Sequence, residues 1–118
     1  MKLIHGLEVH PSSSAERPAY LCYTPDWEEI RNGRSFWFEG DHVGAVVHDE
    51  ETECWYPVDT DWWPMDAQGE AINTTFGTTE EHRAEMQFFE RRADAVRFLA
   101  HWWNLRNPSN AVRMEVAA

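Results

Sequence analysis

Along the middle of the chain apolar and polar residues alternate with a period of two, and near its end the period becomes helical. Segments 34–39 (RSFWFE), 42–48 (HVGAVVH) and 53–59 (ECWYPVD) read as strands, separated by Gly40-Asp41 and by Asp49-Glu50-Glu51-Thr52. Glycine at the first loop position suits a two-residue type II′ hairpin, and the acidic quartet suits a four-residue one. Together they predict a three-stranded antiparallel meander over 34–59. The first loop sets Phe38 opposite Val43, Trp37 opposite Gly44 and Phe36 opposite Ala45. The second sets His48 opposite Glu53, Val47 opposite Cys54, Val46 opposite Trp55, Ala45 opposite Tyr56 and Gly44 opposite Pro57. Strand side chains point alternately to opposite faces. One face then holds Phe36, Phe38, Val43, Ala45, Val47, Cys54, Tyr56 and Val58, the expected core. The other holds Ser35, Trp37, Glu39, His42, Gly44, Val46, His48, Glu53, Trp55, Pro57 and Asp59, expected to face outward. Pro57 cannot donate to a ladder and places its strand at an edge.

Two further strands are predicted at 2–9 and 19–24, on either side of a serine-rich loop between Pro11 and Pro18. Thr24-Pro25-Asp26 then opens a brief helical turn over Trp27–Arg31, which Asn32-Gly33 closes. Beyond the middle block, Thr78-x-x-Glu81 forms a capping box. Met86, Phe89, Ala93, Val96, Ala100 and Trp103 follow at spacings of three and four, one helical stripe. A single helix of 26 residues would be about 39 Å long; the alternative is a strand near 84–89 followed by a helix over 91–104. Val112–Val116 alternates as a last strand. The expected fold is a single α+β domain over 1–118: a small antiparallel sheet, made of the meander with N- and C-terminal strands, and a C-terminal amphipathic helix packed on one face.

Composition adds a strong asymmetry. Of 118 residues 42% are apolar, with seven Trp and six Phe, enough for one packed core. No apolar run approaches the ~20 residues that cross a bilayer, and Leu3-Ile4 is too short for the apolar part of a signal peptide. A cytoplasmic location follows, with Cys22 and Cys54 as small buried thiols. The net charge is −11, and residues 35–82 hold twelve Asp and Glu without one Lys or Arg. Such a field disfavours direct contact with nucleic acid or an anionic membrane and favours a basic protein surface.

The chemistry-bearing residues point to binding rather than catalysis. His42 and His48 share a face, but six residues of strand set them roughly 20 Å apart, beyond one metal ion; no metal and no cofactor is implied. No catalytic motif of known spacing occurs, and carboxylates clustered on turns keep ordinary acidity. Exposed tryptophans among acids are the stronger signal, since aromatics rimmed by polar groups mark interaction sites. The candidate partner-binding residues are Trp37, Glu39, Asp41, Asp49, Glu50, Glu51, Glu53, Trp55, Asp59, Asp61, Trp62 and Trp63. They suggest a small non-enzymatic inhibitor that occupies a nucleic-acid-binding protein by imitating phosphate charge, of the anti-CRISPR or anti-restriction kind. The alternatives are a carbohydrate or small-ligand binding or processing domain that uses the same Trp and carboxylates, and a housekeeping subunit that self-associates through its aromatics.

Overall fold

The computed structural model describes residues 3–13 and 16–114. It is α+β, with six strands in two antiparallel sheets and a C-terminal helix on one face, as the sequence pattern predicts. The strands are β1 (Glu8–Pro11), β2 (Ala19–Tyr23), β3 (Trp27–Arg31), β4 (Arg34–Phe38), β5 (His42–Asp49) and β6 (Cys54–Val58); the helices are α1 (Thr79–Glu85) and α2 (Arg92–Arg106). The main sheet has the order β1-β2-β5-β6, and β3-β4 form a separate two-stranded sheet.

The predicted meander is therefore only half present. β5 and β6 form a hairpin, but β4 pairs with β3 and not with β5. Asn32 and Gly33 both take positive φ, 51° and 75°, the type I′ geometry that joins two strands with matching twist. This turn makes Trp27–Arg31 a strand where a helical turn was expected. Gly40-Asp41 is not a tight hairpin turn. A Cβ at Gly40 would lie 1.6 Å from the Thr24 carbonyl oxygen, so the two chain segments cross there in direct backbone contact. Across the same crossing the Thr24 N–H donates to the Asp41 carbonyl at 2.9 Å, and the Asp41 N–H donates to Thr24 Oγ1 at 2.6 Å.

The crossing sits within one continuous ribbon. Tyr23 faces His42 where β2 meets β5, and Trp27 faces Phe38 where β3 meets β4, in the same register. The lower half of the ribbon lies within the main sheet. Its upper half, β3-β4, stands out as an arm on which no strand residue is buried.

The β5-β6 register also differs from expectation. Asp49 faces Cys54, His48 faces Trp55, Val47 faces Tyr56, Val46 faces Pro57 and Ala45 faces Val58. The turn thus comprises residues 50–53, one residue later than predicted. The Asp49 carboxylate fixes it by accepting from the Thr52 N–H at 3.0 Å and the Thr52 hydroxyl at 2.6 Å, while Glu53 takes φ 60°. Moving every partner by two residues leaves each side chain on its predicted side except Val43, which the irregularity opposite Cys22 and Tyr23 turns to the side of Val46. What changes is which side is core. Val46, expected outward, is fully buried with Cys22, Val43, Leu7 and Met65 against Ala95, Val96, Leu99 and Ala100. The opposite side holds a smaller cluster of Ala19, Ala45, Val47 and Val58. Gly44 is required by the neighbouring strand, since a Cβ there would lie 2.3 Å from the Val58 carbonyl oxygen of β6, while Leu99 of α2 would be in ordinary contact at 3.5 Å.

The capping box at Thr78 and Glu81 forms as expected, but neither alternative for 79–104 holds alone. A short α1 ends at Glu85, Phe89 exchanges two backbone hydrogen bonds with Trp55, and α2 then begins at Arg92. In the expected last strand, residues 112–114 adopt no regular structure, and 115–116 lie outside the described residues. The Asn104 side-chain amide bonds both the N–H and the C=O of Val112, at 2.7 and 2.9 Å, so that backbone is satisfied without a partner strand. At the other end, Ile4 and Leu7 close a turn through His5 and Gly6, and the strand expected over 2–9 starts only at Glu8.

Candidate functional site

The twelve candidate residues do not form one surface. Topology sorts them to the two ends of the main sheet. The arm leaves the sheet at the start of β5, and β6 ends beside that point because Val58 faces Ala45. Glu39 and Asp41 at the foot of the arm, Trp37 on it, and Asp59, Asp61, Trp62 and Trp63 just after β6 thus belong to the same end. Asp49, Glu50, Glu51 and Glu53 lie at the other end of the eight-residue β5, roughly 25 Å away.

At the far end Asp49 is structural and unavailable to a partner, contrary to expectation. Its side chain is 4% exposed, and its carboxylate takes both Arg83 guanidinium nitrogens, at 2.8 and 3.0 Å. Chiefly these bonds hold Asp49 far below the usual carboxylate range, with Thr52 adding to them against the opposing effect of burial. Arg83 is raised in return and lies over the Phe88 ring at 5.0 Å. The pair walls an open cleft of about 700 Å³ that also involves Tyr56, Met86, His82 and Arg17. A carboxylate so engaged is a poor proton acceptor. Glu50, Glu51 and Glu53 are exposed on the turn; of these, Glu51 lies 3.6 Å from Arg83.

Trp55 is the second correction. Its backbone bonds Phe89 in both directions, at 2.7 and 2.8 Å. Its half-buried ring packs on the main core, with Tyr20 at 5.8 Å and His48 edge-on at 5.0 Å between ring centroids. The side chosen as outward is the side that α2 covers, so Trp55 acts in packing. His48 accordingly faces Trp55 and not Glu53. Among the described residues no group of three His, Cys, Asp or Glu is placed to hold a metal.

At the arm end the candidates do reach solvent. Asp59 closes a tight loop, its carboxylate accepting from the Asp61 and Trp63 N–H groups at 2.9 Å each. Trp62 is held at φ 66°, and the two adjacent indoles are 42% and 37% exposed. Asp61, Glu39 and Asp41 are exposed at the same end of the sheet, Asp41 accepting from the Asn110 side-chain amide at 2.8 Å, and none forms an ion pair among the described residues.

On the arm the sequence reading missed Trp27 and Ile30 and placed Phe36 and Phe38 in the core, whereas both are exposed because β4 pairs with β3 outside the main sheet. Trp27 and Phe38 stack at 4.2 Å, and Ile30 and Phe36 are exposed with them, as is Trp37 at 69%. Asn32-Gly33 between two runs rich in aromatic and β-branched residues is the signal that would have found them. No family model matches this chain, and neither a characterised protein nor a solved structure is detectably similar to it.

Proposed function

We propose that this chain is a non-enzymatic, acidic interaction protein that binds a basic nucleic-acid-binding protein in place of nucleic acid, as an anti-CRISPR or anti-restriction antagonist would. One observation carries the reading: exposed carboxylates without ion pairs and exposed indoles share the arm end of the sheet. Charge there can steer a basic surface into contact over about a Debye length, ~8 Å, and the indoles of Trp62 and Trp63 supply the apolar anchors that such a contact needs. Both cysteines are free, which suits action in the cytoplasm.

The test uses proteins captured from the host on the immobilised chain. Duplex DNA should compete with the chain for the captured partner. Glu39→Gln with Asp61→Asn should slow association at low salt and matter less at high salt, with the melting temperature unchanged or raised. Asp59 is left intact because it closes the loop. Trp62→Ala should cost about 2 kcal/mol of binding, mainly through faster dissociation. Partners that DNA does not displace, or an unaltered association rate in the charge variant, would return these carboxylates to a merely solvated face.

A further inference from the structure

The arm does not resemble the acidic body that carries it. Its strands hold Glu28, Glu29, Arg31 and Arg34, which balance, within a chain of net charge −11. The charges are also ordered along its length. Arg31 and Arg34 flank the turn at the tip, while Asp26, Glu39 and Asp41 sit at the foot. Both outer edges of the two-stranded sheet are open among the described residues, and open edges recruit other strands.

The two edges differ in what they would oppose. With Arg31 and Arg34 as the closing pair of a two-residue turn, alternation turns the backbone groups of Glu28 and Ile30 outward on β3, and those of Ser35 and Trp37 outward on β4. A second copy paired antiparallel along β3 about Glu29 would set Glu29 against Glu29, a destabilising like-charge contact. Pairing about Ile30 would set Glu29 against Arg31, with which it already pairs at 2.6 Å within its own arm. Along β4 the equivalent two-fold pairing sets Phe36 against Phe36, Ser35 against Trp37, and Arg34 against Phe38. Arg34 would then lie at the face of a ring that already stacks on Trp27. The same antiparallel arrangement brings each basic tip toward the acidic foot of the other copy. Between residues 35 and 38 the β4 edge has no charge and no proline, the features that usually block such pairing.

We infer that the arm is a homodimerisation element: two copies join their β4 edges around Phe36 in an isologous four-stranded sheet, β3-β4-β4-β3, with tip and foot charges complementary. The contact does not rest on the partner-binding reading above, although its charge pairing draws on Glu39 and Asp41, which that reading also uses; its test reads self-association with no other partner present.

Sedimentation of the full chain up to sub-millimolar concentration tests it. The wild type should form a dimer and no larger species. Ser35→Pro removes an outward N–H that the β3-β4 ladder does not use, and should weaken the dimer at least tenfold, whereas Ser35→Ala, which loses only the hydroxyl bond to Glu28, should leave it intact. Phe36→Glu and Phe36→Arg should each sediment as monomers, because like charges would face one another across the two-fold axis. An equimolar mixture of those two variants should recover the dimer. Unchanged thermal unfolding, expected because Phe36 is exposed, confirms that each variant remains folded. A monomeric wild type, dimeric single variants at position 36, or a mixture that stays monomeric would each overturn the proposal.

Discussion

Gly40→Ala is expected to cost about 3–5 kcal/mol of stability, an overpacking effect at the upper end of what one methyl group does. The added carbon would lie 1.6 Å from the Thr24 carbonyl oxygen, 2.6 Å from its carbon and 3.1 Å from the Pro25 carbonyl carbon. All three are backbone atoms, so no side chain can swing away. Relief requires the 24–26 and 39–41 segments to separate. That movement would break the paired Thr24 and Asp41 bonds and the 2.8 Å bond from the Gly40 N–H to Asp26. The arm would lose its fixed angle to the sheet as the ribbon came apart at its waist. Gly33→Ala is the control: nothing lies within 4 Å of a Cβ there, but φ is +75°, so only left-handed strain of about 1 kcal/mol applies. Urea midpoints of the two variants read the difference directly. Equal costs would mean that the crossing is looser than its geometry implies.

That crossing also explains much of what the sequence did and did not disclose. Alternation over 42–48 and 53–58 identified two real strands and sorted all their side chains but Val43 correctly, because a strand's period does not depend on its partner but is broken by an irregularity such as the one opposite Cys22 and Tyr23. It could not name the partner of 34–39. A glycine before an aspartate reads equally well as a II′ turn and as a place where backbone meets backbone, and only the long-range contact with Thr24 decides between them. Asn32-Gly33 was read as a helix end for a similar reason, since positive φ serves both a helix cap and a type I′ turn. Deciding which face was core failed on Gly44 and Pro57. The side with fewer strong apolar residues looked like the solvent side, whereas it is the side that α2 covers. The capping box at Thr78 and the helix after residue 91 were legible because their signals are local. The candidate site was half legible. Composition found the acids and indoles, but Asp49 and Trp55 were lost from it to contacts with Arg83 and Phe89, which lie 34 residues away in each case.

Arg83→Met should cost about 3 kcal/mol at pH 7, and more than Asp49→Asn, although both remove the same ion pair. The asymmetry follows from burial. Without Arg83, the Asp49 carboxylate, whose side chain is 4% exposed in the intact pair, keeps only Thr52 as a partner. Without the Asp49 charge, Arg83 is 24% exposed and can turn to water or to Glu51 at 3.6 Å. The pH dependence has a definite sign. Asp49 is depressed in the folded chain, so in the wild type the pair contributes its full stability above the ordinary carboxylate value near 4 and loses it as pH falls toward the depressed one. In Arg83→Met, burial instead opposes ionisation, and protonation relieves the stranded charge. The gap between wild type and Arg83→Met should therefore be widest near neutrality and should narrow as pH falls from about 5 to 2. Urea unfolding across that range checks it, and a gap constant with pH would show that Arg83 contributes through its packing on Phe88 and not through its charge. Because the pair lies at the end of the sheet away from the arm, neither substitution should change partner binding or dimerisation while the chain remains folded. A loss of either in folded Arg83→Met would shift the binding surface toward the cleft that this pair walls.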